Sequence, residues 1–230
     1  MKSSTNKILW LTLFSIAMGF LEAAVVVYLR ALYYPQGFDF PLSIMDPKLV
    51  LVELLREAAT VIMLLGIGIL SGTNTNQRLA NFIAAFAIWD IFYYVFLKLV
   101  LDWPASFFTW DILFLIPVPW VGPVLAPCIV SLTMLLMAYA LHHRDGQNPT
   151  NRINLVEWVL ILFGCAIIVG SWMTDYLSLT WGKTISAEEA LQVFSNYVPR
   201  TYHWWIFAMG EVIILAGIFR FWMRTKLSEL

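Results

Sequence analysis

The chain has 230 residues, of which 60% are hydrophobic, 16% aromatic and only 13% charged. Soluble domains carry about 25% charged residues, so this composition excludes an ordinary soluble fold. It predicts an integral membrane protein formed as a single helical-bundle domain over residues 1–230. A net charge of -1 and a pI of about 6.3 give no basis for a nucleic-acid partner.

Six apolar stretches predict an all-α, polytopic membrane protein with about six transmembrane helices, at residues 8–30, 49–71, 79–101, 121–141, 155–175 and 202–223. The first follows MKSSTNK and could imitate a signal peptide. Its apolar run continues for the roughly 20 residues of a full span, holds Glu22 and has no A-x-A site after it, so it reads as a retained helix. Between the third and fourth spans, residues 111–127 contain Pro117, Pro119, Gly122, Pro123 and Pro127. Proline at this density breaks helices. Broken backbone at membrane depth is tolerated only under a cover of protein or beside a water-filled cavity. The spacing therefore predicts a re-entrant or interfacial entry into helix four. After the second span, Asn74 and Asn76 mark a short turn, and residues 142–154 read as a polar loop with both His142 and His143 solvated. Before the sixth span, Ser186-Ala-Glu-Glu189 reads as a capping box. It predicts a short amphipathic interfacial helix over 187–197, with Leu191, Val193, Phe194 and Tyr197 available to the membrane surface.

Basic residues outside the spans set the expected orientation. Lys2, Lys7, Arg78, Arg144, Arg152, Arg224 and Lys226 fall on one side, with Arg220 close by; Arg30, Lys48, Lys183 and Arg200 fall on the other. This bias predicts both termini in the cytoplasm of a bacterial inner membrane and the long aromatic loops outside. Trp and Tyr suit such interfaces.

Ionisable residues at membrane depth are costly and usually face a cavity or a partner. Glu22, Asp90 and Glu211 lie well inside spans, and Glu53, Arg56 and Glu57 occupy the outer turns of the second. Glu157, at the cytoplasmic end of the fifth, is expected to stay hydrated. Spacings of three and four put Glu53, Arg56 and Glu57 on neighbouring helix positions, where an Arg can hold two carboxylates. This is also what a purely structural ion-pair cluster looks like. The same spacing aligns Asp90 with Tyr94 and Lys98, or with Tyr93. Gly19 and Gly210 precede Glu22 and Glu211 and allow a close approach of helices one and six.

The predicted catalytic set is Asp90 and Glu57 as acid and base, with Glu22 and Glu211 in support. The predicted substrate-binding set is Glu53, Arg56, Tyr93, Tyr94, Lys98, Trp103, Trp110 and His203, the two tryptophans on a loop that reads either as a belt anchor or as a lid. If a metal is bound, Glu22, Glu57, Asp90 and Glu211 suit a hard divalent cation. Haem is disfavoured, since His203 has no second intramembrane histidine. Cys128 and Cys165 lie in apolar segments and read as buried small residues. Serine-nucleophile and P-loop motifs are absent.

Three functional classes fit. The first is an intramembrane enzyme that acts on a lipid-like or isoprenoid substrate by carboxylate acid/base chemistry in an outward-facing polar cavity. The second is a small proton-coupled transporter, for which broken helices are a pointer, though no internal repeat is seen. The third is a structural or assembly subunit of a larger membrane complex. Membrane lipid is the expected partner, and a homo-oligomer or a complex partner is compatible with all three.

Overall fold

A computed structural model describes residues 2–116, 118–147, 151–180, 182, 186, 189, 192–193 and 195–224, with side chains from Asn6 onward. The elements are α1 (Lys2–Tyr33), α2 (Pro47–Ser71), α3 (Thr75–Leu101), β1 (Trp110–Phe114), β2 (Trp120–Pro123), α4 (Leu125–Gln147), α5 (Leu155–Thr180) and α6 (Trp204–Arg224). Five of the helices, α1 and α3 to α6, are long and apolar enough to cross a membrane, which is consistent with a helical membrane protein. α2 is not among the five; it is a 25-residue helix packed on α3. Leu55, Ile62, Leu70, Leu99, Leu162 and Phe219 point outward, a surface suited to lipid chains rather than water.

Local signals start α2, α3 and α5. Asp46 caps α2, its carboxylate accepting from the Lys48 N–H at 2.7 Å, with Pro47 in the first turn where no N–H is needed. Asn74 caps α3 by accepting from the Gln77 N–H at 3.0 Å. Asn154 and Glu157 form a reciprocal box at the start of α5. Ser186 and Glu189 make the same pair of bonds, at 2.7 and 3.2 Å. Residues 187, 188, 190, 191 and 194 of the expected interfacial helix lie outside the described set. Tyr197 differs from the expectation: it is buried, and its hydroxyl donates to Asp175 Oδ2 at 2.5 Å.

The Pro-rich stretch contains an antiparallel hairpin, in which Asp111 pairs with Gly122 and Trp110 with Pro123. The fourth span, expected from residue 121, therefore begins as β2 and turns helical at Leu125. Pro127 falls in the first turn of α4, where proline is tolerated. β2 rests on α5. Gly122 sits so close to Trp172 that an added Cβ would be 3.0 Å from the indole Cδ1, and Trp120 stacks on the same ring at 5.7 Å.

α3 packs on α1, α2 and α4, while α5 packs on α6, and α4 joins the two groups through α6. One core, with Leu11, Met18, Leu64 and Trp89, fills the α1–α2–α3 junction; another, with Leu141, Ile168, Phe207 and Phe221, fills the α4–α5–α6 junction. The glycines expected to join the first and last helices do something else. Gly19 lies against α3, where a Cβ would stand 2.8 Å from the Trp89 carbonyl oxygen. Gly210 meets α5, where a Cβ would stand 2.6 Å from Ile168 Cγ1 and 2.9 Å from the Gly164 oxygen. Close approach is thus obtained pairwise, α1 to α3 and α5 to α6.

At the end of the bundle opposite the hairpin, the helices are tied by polar bonds. Glu157, expected to be hydrated, is fully buried because Arg224 covers it, with Nε donating to Oε1 at 2.8 Å and Nη2 to Oε2 at 3.2 Å. α4 extends past the expected loop boundary, so His142 and His143 are helical. His142 is half-buried with Nε2 2.9 Å from Asn81 Oδ1, and exposed His143 stacks on Trp222 at 4.8 Å.

Two measurements check this packing. Gly210→Leu drives carbon into the α5 backbone and lowers stability in detergent unfolding by about 1–3 kcal/mol, whereas Gly66→Leu, where an added Cβ meets nothing within 4 Å beyond its own helix backbone, stays near wild type. Arg224→Met leaves the Glu157 carboxylate buried without its cation and costs about 2 kcal/mol, a value reduced because Arg224 is partly exposed. Adding Glu157→Gln recovers most of that loss.

Candidate functional site

The densest charge lies at the hairpin end, where α1, α2 and the hairpin meet. Glu53, Arg56, Glu57 and Thr60 recur at three- and four-residue steps on α2, so all project to one side of it. Arg56 is held between two carboxylates. Its Nη2 lies 2.7 Å from Glu53 Oε2 one turn away, and its Nη1 donates to Glu22 Oε1 across the gap to α1. The Thr60 hydroxyl donates to the other Glu22 oxygen at 3.3 Å. Arg56 therefore bridges α1 and α2, and its second carboxylate is Glu22 rather than the neighbouring Glu57.

Glu57 turns toward the hairpin. Both of its carboxylate oxygens accept from the Leu115 N–H, at 3.0 and 3.1 Å. Glu57 is buried, and among the described residues it forms no ion pair. Ten residues separate Glu57 from Pro47, so the end of β1 reaches about 15 Å along α2 from its first turn. The broken segment thus brings a main-chain N–H to a carboxylate inside the helix packing.

A second group lies one layer nearer the end of the bundle. Arg30, two turns after Glu22, has its guanidinium 3.7 Å from the Trp103 ring centroid and 4.3 Å from that of Phe38. Asp111, the buried position of β1, stands 3.5 Å from Arg30 Nη2 and accepts from the Tyr94 hydroxyl at 3.1 Å. Tyr93 packs edge-on against Tyr94. Lys98 does not turn back to Asp90. Its ammonium binds Asp102 Oδ1 at 2.7 Å and the carbonyls of Asp102 and Pro104, ending α3. That hydrogen bond and charge hold the Asp102 carboxyl below its usual range.

Asp90 and Glu211 make their hydrogen bonds to α4 rather than to these groups. Asp90 faces α4, accepting from the Ser131 hydroxyl at 2.9 Å, and Glu211 accepts from the Thr133 hydroxyl at 2.8 Å. Two residues on a helix are about 200° apart around its axis, so the two acids sit on opposite flanks of α4. Trp110 packs on Tyr202. His203 is exposed, and its carbonyl accepts from the Ile206 and Phe207 N–H groups in the first turn of α6. Among the described residues no three His, Cys, Asp or Glu side chains gather as a metal ion requires, so Glu22, Glu57, Asp90 and Glu211 do not form one ligand set.

Sequence reasoning passed over Arg30, Asp111, Thr60, Ser131 and Thr133. An acid inside an otherwise apolar strand was the available signal for Asp111. Nothing in the local sequence marks Ser131 or Thr133, since each matters only through the helix opposite it.

Together the fold and the site define a helical bundle of membrane type with a layered cluster of carboxylates and arginines at one end. Comparison with known protein families, curated proteins and solved structures finds no match.

Arg56→Met strands Glu22 and Glu53 without their cation and is expected to cost about 3–5 kcal/mol in detergent unfolding. The combined Glu22→Gln, Glu53→Gln, Arg56→Met variant recovers most of that, because no unmatched charge is left.

Proposed function

We propose that the protein is an intramembrane enzyme that acts on a lipid-like or isoprenoid substrate by carboxylate acid/base chemistry, with the hairpin end facing outward and both termini in the cytoplasm. The observation that carries this reading is the bonding of Glu57 and Asp90. Both are held by neutral donors, the Leu115 N–H and the Ser131 hydroxyl, and neither is in an ion pair among the described residues. Each can take up or release a proton without breaking a charge pair, as a general acid or base must. Glu22 differs: its charge is committed to Arg56, so its role is to hold Arg56 and α2 in place. Glu211, on the far flank of α4, is assigned a supporting role only.

The substrate class follows from the surroundings. The charged layer is enclosed by apolar helices whose outer faces suit lipid, and the aromatic rings of Phe38 and Trp103 stand over Arg30 beside it. A lipid-like molecule can present a polar head at this depth while its chain stays in hydrocarbon. The proton-coupled carrier is less well supported, because a relay would need its acids in sequence and α4 separates Asp90 from Glu211. The Pro-rich hairpin and the segment after Ser186 are assigned to the membrane interface in this reading.

The test compares lipids extracted from membranes of cells making the wild-type chain, Glu57→Gln or Asp90→Asn, at matched levels of folded protein. General acid/base catalysis contributes about 10²–10⁴-fold. A lipid or isoprenoid species altered by the wild type and restored in both variants is expected. Identical profiles for all three proteins overturn the reading.

A further inference from the structure

Arg30 is a buried cation that its surroundings match incompletely. Its side chain is 9% exposed. The Trp103 and Phe38 rings attract the charge but offer no lone pair to its N–H groups. Asp111, its carboxylate neighbour, stands 3.5 Å away, beyond the roughly 2.7–2.9 Å of a charge-assisted hydrogen bond. Asp111 also accepts from Tyr94. Arg30 Nη1 has no hydrogen-bond partner among the described residues. Arg56, one layer deeper, is the opposite case, with a carboxylate on each side. Leaving a donor of a buried charged group unbonded is expensive, so an unmet guanidinium N–H points to an acceptor that binds there.

Phe38 connects this group to the exterior. It covers Arg30 and also lines a cleft of about 250 Å³ formed with Phe40, Thr109, Trp110, Val198 and Pro199. Asp39, also at the cleft, uses its Oδ1 to accept from the Phe40 N–H at 2.8 Å. Phe38 follows Gly37, whose φ of +107° is a conformation that side chains resist. The connection is pinned on both sides of Phe38: the Tyr34 hydroxyl accepts from the Ser43 N–H, and the Ser43 hydroxyl donates to the Tyr33 carbonyl.

We propose that Arg30 is the anchor for a phosphate group of the ligand, which reaches Nη1 through the aromatic cleft when the Phe38 ring swings aside. The planar fork of a guanidinium matches phosphate oxygens two at a time, and the Trp103 face fixes its plane before the ligand arrives. The ligand's apolar body lies against Phe40 and Trp110. This deepens the enzymatic reading by naming the substrate's head group, and it rests on that reading in taking the hairpin end as the entrance.

The experiment uses the full chain in a neutral detergent and follows thermal stability as phosphatidylglycerol, diacylglycerol or inorganic phosphate is added. Wild type is expected to be stabilised by phosphatidylglycerol and not by diacylglycerol. Arg30→Gln raises the half-saturating concentration at least about tenfold, the loss of one charge-assisted contact, and Arg30→Lys falls between them. Phe38→Ala, which removes the cover, binds at least as tightly as wild type. If inorganic phosphate displaces the lipid, the anchor accepts free phosphate as well; if it does not, the phosphate must arrive on a lipid. If Arg30→Gln does not fold, Trp103→Leu, which releases the guanidinium plane, is expected to weaken binding in the same direction. Equal stabilisation of wild type and the Arg30 and Trp103 variants, or equal stabilisation by diacylglycerol and phosphatidylglycerol, overturns the anchor. That failure is separable from failure of the enzymatic reading, since the lipid profiles of the Glu57 and Asp90 variants do not depend on it.

Discussion

A charge buried among apolar helices must find its partner inside the protein, and the rest of this structure is arranged around that constraint. The link from Arg56 to Glu22 and Glu53 is its clearest expression. α1 and α2 make little other contact with each other, each packing instead on α3. Arg56 therefore adds a charged tie between two helices whose apolar residues meet mainly through α3. Removing Arg56 leaves both carboxylates unmatched, whereas removing either carboxylate leaves Arg56 paired with the other, so the tie depends above all on the cation.

The hairpin meets the same constraint by a different route. A strand pair at this position has main-chain donors to place, and the Leu115 N–H is placed on Glu57. Asp111, on the same strand, is turned inward to Arg30 and Tyr94. The proline-rich stretch that breaks the helical pattern thus delivers one acid and one donor to a layer that helices alone do not complete. Its register is held from behind by the Trp120–Trp172 stack and by the contact of Gly122 with Trp172.

The acids fall into two kinds by what they are bonded to. Glu22, Glu53, Glu157 and Asp111 face arginines, and their energetic role is plain in the cost of removing that cation. Glu57, Asp90 and Glu211 face an N–H or a hydroxyl, and a carboxylate so held is free to change its protonation. The division runs across helices and does not follow depth along the chain, so it sorts candidates for chemistry from candidates for architecture more sharply than position within a span does.

The helices themselves were legible from the chain alone, because a run of about 20 apolar residues has few other uses. So were the caps at Ser186 and the turn at Asn74, which depend on residues three or four positions apart. The local grouping of Glu53, Arg56 and Glu57 was legible for the same reason. What the sequence left open was every relation that depends on helix rotation and on which helices are neighbours. The tertiary structure decided that Arg56 reaches Glu22 rather than Glu57, and that Gly19 and Gly210 serve different helix pairs. It decided that Glu157 is buried beneath Arg224, and that Asp90 and Glu211 part company across α4. It also made Arg30 and Asp111 neighbours, although 81 residues separate them in the chain. Periodicity fixes which residues share a face of one helix, but only packing fixes what that face meets.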